Sequence, residues 1–249
     1  MAINTEKNSY TVIFAAIMVV IVGTILAYLS SSLSGKIDEN KRLEKQQNIL
    51  YAMGVNENVG EGSVSFVPTD KVAGEFSKYI KEQLIIEGDK ITKDDQAYLI
   101  DLKKQATAAK EGKTRKLPLF IGDKDGKIFY IIPMRGKGLW DAIWGFVALD
   151  DQMVVQGVYF DHAGETPGLG ANIKQRYFMD DFAGETILNG TKYAGIAVAK
   201  GNNDPLNEIK DDNEVDALAG ATITGNGVSA MISESVNLYK DYLETIRVK

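Results

Sequence analysis

The chain has 249 residues, a net charge of −6, a single histidine and no cysteine. The lack of cysteine excludes a disulfide framework, a cysteine-ligated iron–sulfur cluster and a cysteine nucleophile. One histidine, His162, leaves no imidazole-rich zinc or copper centre, and no metal site is expected. The acidic balance, with no basic face standing out, argues against nucleic acid as a partner. Any redox chemistry on this chain therefore needs an organic cofactor.

Residues 8–35 carry no charge, and residues 10–29 are rich in Ile, Val, Ala, Met and Phe. That is the length an α-helix needs to cross a hydrocarbon core of roughly 30 Å. Tyr10 and Tyr28 stand near its ends, where interfacial aromatics are common. The start, MAINTEKNSY, has one Lys and one Glu rather than the basic start of a cleaved signal peptide. Residues 1–35 thus read as a retained membrane anchor. Lys36, Lys41, Arg42 and Lys45 follow it and only Lys7 precedes it, which by the positive-inside rule favours a cytoplasmic domain.

Residues 36–53 read as an amphipathic helix with Ile37, Leu43, Leu50 and Met53 as its apolar positions, stopped by Gly54. One short strand is expected at 63–67 and helices at 71–86 and 93–110, the second with Tyr98, Leu99 and Leu102 on one side. A basic connector follows at 113–116. The part spanning 36–116 is therefore expected to be helical. From 117 to 249 the pattern turns to strands and tight turns. Strands are expected at 127–134, 144–149, 153–160 and 192–200, with a hairpin through Asp150, Asp151 and Gln152. A closing helix at 227–246 should bury Val228, Met231, Ile232, Val236 and Leu238. The fold class is α+β: one N-terminal transmembrane helix, then a soluble domain with a mainly antiparallel sheet flanked by helices.

Four stretches could carry chemistry. Asp123, Asp125 and Gly126 resemble the opening of a calcium loop, but the twelfth position, Met134, cannot ligate, and an Asp-Gly turn explains them. No phosphate loop or dinucleotide fingerprint is present, so direct ATP or NADH binding is not supported. Residues 136–145, GKGLWDAIWG, hold Trp140 and Trp144, suited either to core packing or to stacking on a flat ring. Residues 162–170, HAGETPGLG, form either a structural turn or a loop whose backbone approaches a ligand closely, with Glu165 and Thr166 as hydrogen-bonding groups. Residues 216–224, DALAGATIT, place small residues and a hydroxyl just ahead of a helix. Thr222 or Thr224 either begins that helix or sits where the helix N-terminus favours a phosphate.

An apolar N-terminal helix, then GLW, ETPGLG and the D-x-x-x-G-A-T-x-T run, in this order, resembles the C-subunit of the Na⁺-translocating NADH:quinone reductase. Ala219 stands where that family usually has Ser or Thr. The resemblance implies FMN joined through its phosphate to Thr222 by a separate flavin transferase, with Asp216, Gly220, Ala221 and Thr224 at the other motif positions. It further implies ring and ribityl contacts from Trp140 and Leu169, and polar contacts from Glu165 and Thr166. The implied role is electron relay in a multi-subunit complex that passes electrons from NADH to ubiquinone and drives Na⁺ outward. The implied setting is the bacterial inner membrane, with residues 36–249 in the periplasm. On orientation the resemblance is preferred to the charge rule. The alternatives are the G-subunit of the ion-translocating ferredoxin:NAD reductase, which shares the flavinylation motif, and a membrane-anchored binding protein with no redox role.

Overall fold

The structure, a computed structural model, describes residues 8–60, 62–201, 204 and 207–248. The chain divides into two units, Met1–Arg42 and Leu43–Lys249. Helix α1 (Asn8–Ala52) begins in the first unit and is the one helix among the described residues long and apolar enough to cross a membrane. The hydroxyls of Thr24, Ser32 and Ser34 donate to backbone carbonyls of the same helix. They therefore add no unsatisfied group to its apolar surface.

In the second unit α2 (Val72–Tyr79), β1 (Ile80–Glu87), β2 (Lys90–Lys93) and α3 (Leu102–Lys110) precede β3 (Leu117–Lys124), β4 (Lys127–Lys137), β5 (Ala142–Leu149) and β6 (Val155–His162). A short helix, α4 (Arg176–Asp180), leads to four two-residue strands, β7 (Leu188–Asn189), β8 (Lys192–Tyr193), β9 (Ala197–Val198) and β10 (Glu214–Val215). Helix α5 (Thr222–Ile246) closes the domain. Strands β1 to β6 form one antiparallel sheet in the order β2-β1-β3-β4-β5-β6. This is the α+β architecture expected from the sequence.

The expected helical region needs correcting. Residues 71–86 split into α2 and β1, residues 90–93 form β2, and only the latter part of 93–110 is α-helix. Val72, Phe76, Ile80 and Leu84 recur every four residues, a spacing that fits one face of a helix and one face of a strand equally well. Ile86, two residues beyond Leu84 and also buried, settles the second half as strand. No strand forms at 63–67, while the unforeseen β3 lies at the sheet centre. The strand expected at 192–200 is reduced to β8 and β9. In α5 Val228, Met231, Ile232 and Val236 are buried as expected, but Leu238 is exposed.

Gly54 ends α1 with φ +75, as its lack of a Cβ allows. The β3–β4 hairpin turns on Asp125 and Gly126, both at positive φ, between the paired Lys124 and Lys127. This is the two-residue turn whose twist matches a hairpin. Pairing of β3 with β4 runs from this turn only as far as Phe120 opposite Ile131. The next hydrogen-bonded pair would set Pro118 against Pro133, and neither has an N–H to give. The strands part there. The stranded Pro118 carbonyl instead accepts the Tyr239 hydroxyl at 2.7 Å, and β4 continues to Lys137 paired with β5 alone.

The two faces of the sheet are covered differently. The end of α1 crosses one face: a Cβ on Gly157 would lie 2.6 Å from the Ala52 carbonyl oxygen, and one on Gly122 2.8 Å from Met53. Helix α5 covers the other. A Cβ on Gly136 of β4 would lie 2.7 Å from Met231 Cβ, and one on Gly227 of α5 2.3 Å from the Lys137 carbonyl oxygen. Gly227 lets helix and strand touch backbone to backbone, while Gly136 leaves space for the Met231 side chain. Gly227→Ala is expected to destabilise the full-length chain by about 2 kcal/mol, because a backbone carbonyl cannot yield as a side chain can. Gly74→Ala, in α2 with open space around it, should instead stabilise by roughly 0.5–1 kcal/mol through helix propensity. Denaturant midpoints of the two variants should move in opposite directions.

Candidate functional site

Three loops meet at one end of the sheet beside the start of α5. The first is the β4–β5 turn, closed by the Gly138 N–H on the Asp141 carbonyl at 2.8 Å. The second follows β6. Its Thr166–Leu169 turn has Pro167 second and Gly168 third, with Gly168 at φ +77 and the Leu169 N–H on the Thr166 carbonyl. Pro then Gly at those places is the type II pattern. The third is the Leu218–Ala221 turn with Gly220 at φ +66. A Cβ on Gly220 would lie 2.8 Å from Leu169 Cδ2, so the second and third loops touch through that glycine.

Glu165 ties the three together. It is only 4% exposed. Its Oε1 accepts the Trp140 N–H at 2.9 Å, with the Asp141 N–H at 3.5 Å, and its Oε2 accepts the Thr224 hydroxyl at 2.6 Å. Glycines make room for it: a Cβ at Gly138 or Gly170 would fall 2.5 Å or 2.6 Å from its oxygens. The Glu165 N–H in turn donates to His162 Nδ1 at 3.2 Å, a structural role for the lone histidine. Burial alone would push the Glu165 carboxyl up. The bonds from Thr224 and from the Trp140, Asp141 and Leu139 backbones outweigh it and hold the group below its usual value. Glu165 is thus a fixed carboxylate, not a proton carrier.

Thr222 and Thr224 differ sharply. Thr224 is 1% exposed and its hydroxyl is committed to Glu165. Thr222, the first residue of α5, is exposed. The helix ladder begins with the Gly225 N–H on the Ala221 carbonyl at 2.9 Å. That leaves the N–H groups of Thr222, Ile223 and Thr224 outside the ladder, and Ala221 has no side chain to cap them. An exposed hydroxyl beside uncapped helix N–H groups is a donor set that fits a phosphate ester.

The surroundings fit a flat ring. Trp140 is 68% exposed, and its indole Nε1 donates to Thr166 Oγ1 at 3.1 Å. Of the two roles open to this tryptophan, core packing is excluded by its exposure. Leu169, three residues after Thr166, is also exposed, and so are Leu139 and Ile223, two apolar residues that reading by motif passed over. The signal was there: apolar residues inside glycine-bounded polar loops. Asp216 stands apart from the Glu165 cluster. It follows β10 and neighbours an acidic group, where burial and then the charge of Asp204 push its carboxyl up. Burial and then Asp216 push Asp181 up to about 6, against the pull of Lys210.

Uncapped helix N–H groups, an exposed hydroxyl-bearing residue and exposed apolar side chains, brought together by three loops, are groups of the kind a flavin nucleotide needs. The FMN-binding domain family matches residues 138–237, which contain all three loops. The C-subunit of the Na⁺-translocating NADH-quinone reductase of Pseudomonas aeruginosa is 28% identical over 240 residues, covering 92% of this chain and 91% of that protein. Its Yersinia pestis counterpart is 29% identical over 90% of this chain and 87% of its own length. The solved structure of the same subunit from Parabacteroides distasonis superimposes with a TM-score of 0.70 at 30% identity, covering 85% of this chain and 96% of that one. NqrC of Shewanella oneidensis gives a TM-score of 0.63 at 27% identity, over 83% and 99%. The chain belongs to the C-subunit family of the Na⁺-translocating NADH-quinone reductases, and is a subunit of an oxidoreductase complex.

Replacing Glu165 with Ala should cost about 3 kcal/mol, since the Trp140 N–H and Thr224 hydroxyl lose their buried partner. A lowered folded-state value means that the carboxylate's stabilisation is complete above 4.5 and lost as pH falls through that lower value. Glu165→Gln should flatten this acid-side loss. Asp181 has the opposite sign: its favourable contribution is complete below 3.8 and lost as pH rises through about 6. Asp181→Asn should therefore be more stable than the wild type above neutral pH. Denaturation of the full chain across this range checks both slopes.

Proposed function

We propose that this chain is an electron-carrying subunit of a Na⁺-pumping NADH:ubiquinone oxidoreductase, with FMN held through a phosphoester on Thr222. The observation that carries the reading is the contrast between two hydroxyls: Thr222 is exposed at an uncapped helix start, while that of Thr224 is buried on Glu165. FMN would supply a ring that takes and gives one or two electrons. The chain's own residues hold and orient it. The N–H groups of residues 222–224 would hold the phosphate. Trp140, pinned by Thr166, and Leu169 offer the apolar contacts, with Leu139 and Ile223 beside them. Gly220 and Ala221 shape the turn that presents the hydroxyl. Glu165 acts through the loops it joins rather than by moving a proton. A helix N-terminus favours an anion by only about 0.3–1 kcal/mol when exposed. That is too little to retain a cofactor at low concentration, and a covalent tie removes the need.

Maturation requires a flavin transferase as a partner. The other partners are the remaining subunits of the complex. Residues 10–29 would span the bacterial inner membrane, with the large domain in the periplasm. A reporter active only in the periplasm, fused after Lys249, should be active; silence there would reverse the orientation.

When the chain is made together with a flavin transferase, Thr222→Val should abolish covalent flavin, read as the mass of the peptide containing residue 222. Flavin retained in that variant, or moved to Thr224, would overturn the assignment. Trp140→Ala should leave flavin content unchanged and shift the flavin's redox titration. Because the indole is largely exposed, the same variant should lose less than about 1 kcal/mol of stability, well below the cost of emptying a core site. An unchanged titration removes Trp140 from the cradle.

A further inference from the structure

The parting of β3 and β4 opens a groove of about 860 Å³ between α3, the end of β4 and the middle of α5. The sequence shows no basic face, yet the fold assembles one here. Lys103, Lys110, Arg115, Arg135 and Lys137 line the groove, against a single acid, Glu234. None of the five has a side-chain ion pair or hydrogen bond among the described residues. The chain as a whole is acidic, at −6, so five unpaired cations in one cleft are a local reversal of sign. Leu102, Leu117 and Leu238 give the groove an apolar lining.

The cations are spread out rather than convergent. Lys103 and Lys110 lie two helical turns apart on α3, about 10 Å along the axis. Arg135 and Lys137 lie two positions apart on β4, about 7 Å. One phosphate cannot reach both rows; an elongated anion with charges at intervals can. The backbone adds a second element. Along β4 the odd-numbered residues that paired with β3 up to Ile131 continue as Pro133, Arg135 and Lys137, and among the described residues no strand pairs with them on that side. The Arg135 peptide thus presents an N–H and a carbonyl to the groove, a site for an extended chain.

We infer that this groove receives an extended acidic segment of another subunit of the complex. Its carboxylates would meet Arg115, Arg135 and the α3 lysines, and its backbone the Arg135 peptide. The reading is independent of where the flavin is attached.

The test uses the assembled complex, with p-benzoylphenylalanine in place of Leu238, an exposed groove residue. After illumination the joined peptide is sequenced by mass spectrometry. The expected product is a segment from another subunit, with two or more Asp or Glu in it. No protein adduct, a lipid adduct, or a segment without acidic residues overturns the proposal. Combining Arg115→Glu with Arg135→Glu should cut the cross-link yield roughly tenfold, as like charges replace opposite ones. Added salt should weaken the wild-type yield in the same direction. If that variant does not fold, Lys103→Glu with Lys110→Glu, two exposed positions, gives the same readout. An unchanged yield in a folded variant overturns the proposal. Flavin content of the same samples, expected to be unchanged, reads the Thr222 assignment separately.

Discussion

The arrangement of the site depends on one buried carboxylate. Glu165 gathers the Trp140 N–H, the Thr224 hydroxyl and, through its own N–H, His162. A buried carboxylate without partners would be driven to its neutral form. Here the donors outweigh burial, so the charge stays and works as a knot between three segments distant in sequence. Each bond also fixes a loop: Trp140 at the β4–β5 turn, His162 at the end of β6, Thr224 in the first turn of α5. Because Thr224 is held, the helix cannot rotate about its axis without breaking a charge-assisted bond, the stronger kind. Thr222 therefore keeps its outward position.

A second constraint sets the helix height above the sheet. Gly136 makes room for the Met231 side chain of α5, and Gly227 lets the helix backbone rest against the Lys137 carbonyl. Gly227 lies five residues beyond Thr222, so this contact fixes the helix where the site needs it, and Glu165 fixes its rotation. Neither constraint alone locates the exposed hydroxyl.

Much of this was legible in the residues, and the failures have physical causes. The Asp125-Gly126 turn, the stop at Gly54 and the buried stripe of α5 follow from local chemistry that tertiary context did not override. The loops that hold Trp140, Glu165 and Thr222 were each visible as motifs, but not the bond between Glu165 and Thr224, which joins residues 59 apart in the chain. Residues 71–86 misled because a four-residue spacing serves helix and strand alike. Trp140 was open between core and surface because tryptophan suits either, and only the fold shows its indole exposed. Leu238 follows the helical stripe in sequence but lines the groove, which opens where continued pairing would set two prolines against each other. Neither proline announces this by itself, since the consequence lies in the register.

The burial of Thr224 bears on the order of events in the life of the chain. Before folding, the run Ala221-Thr222-Ile223-Thr224 offers two chemically equivalent hydroxyls to any modifying enzyme or reagent. After folding it offers one, because the other is locked beneath the helix on a carboxylate brought from far away in the sequence. Selectivity between neighbouring threonines can thus be supplied by the substrate's own conformation, and the timing of modification relative to folding becomes part of its accuracy.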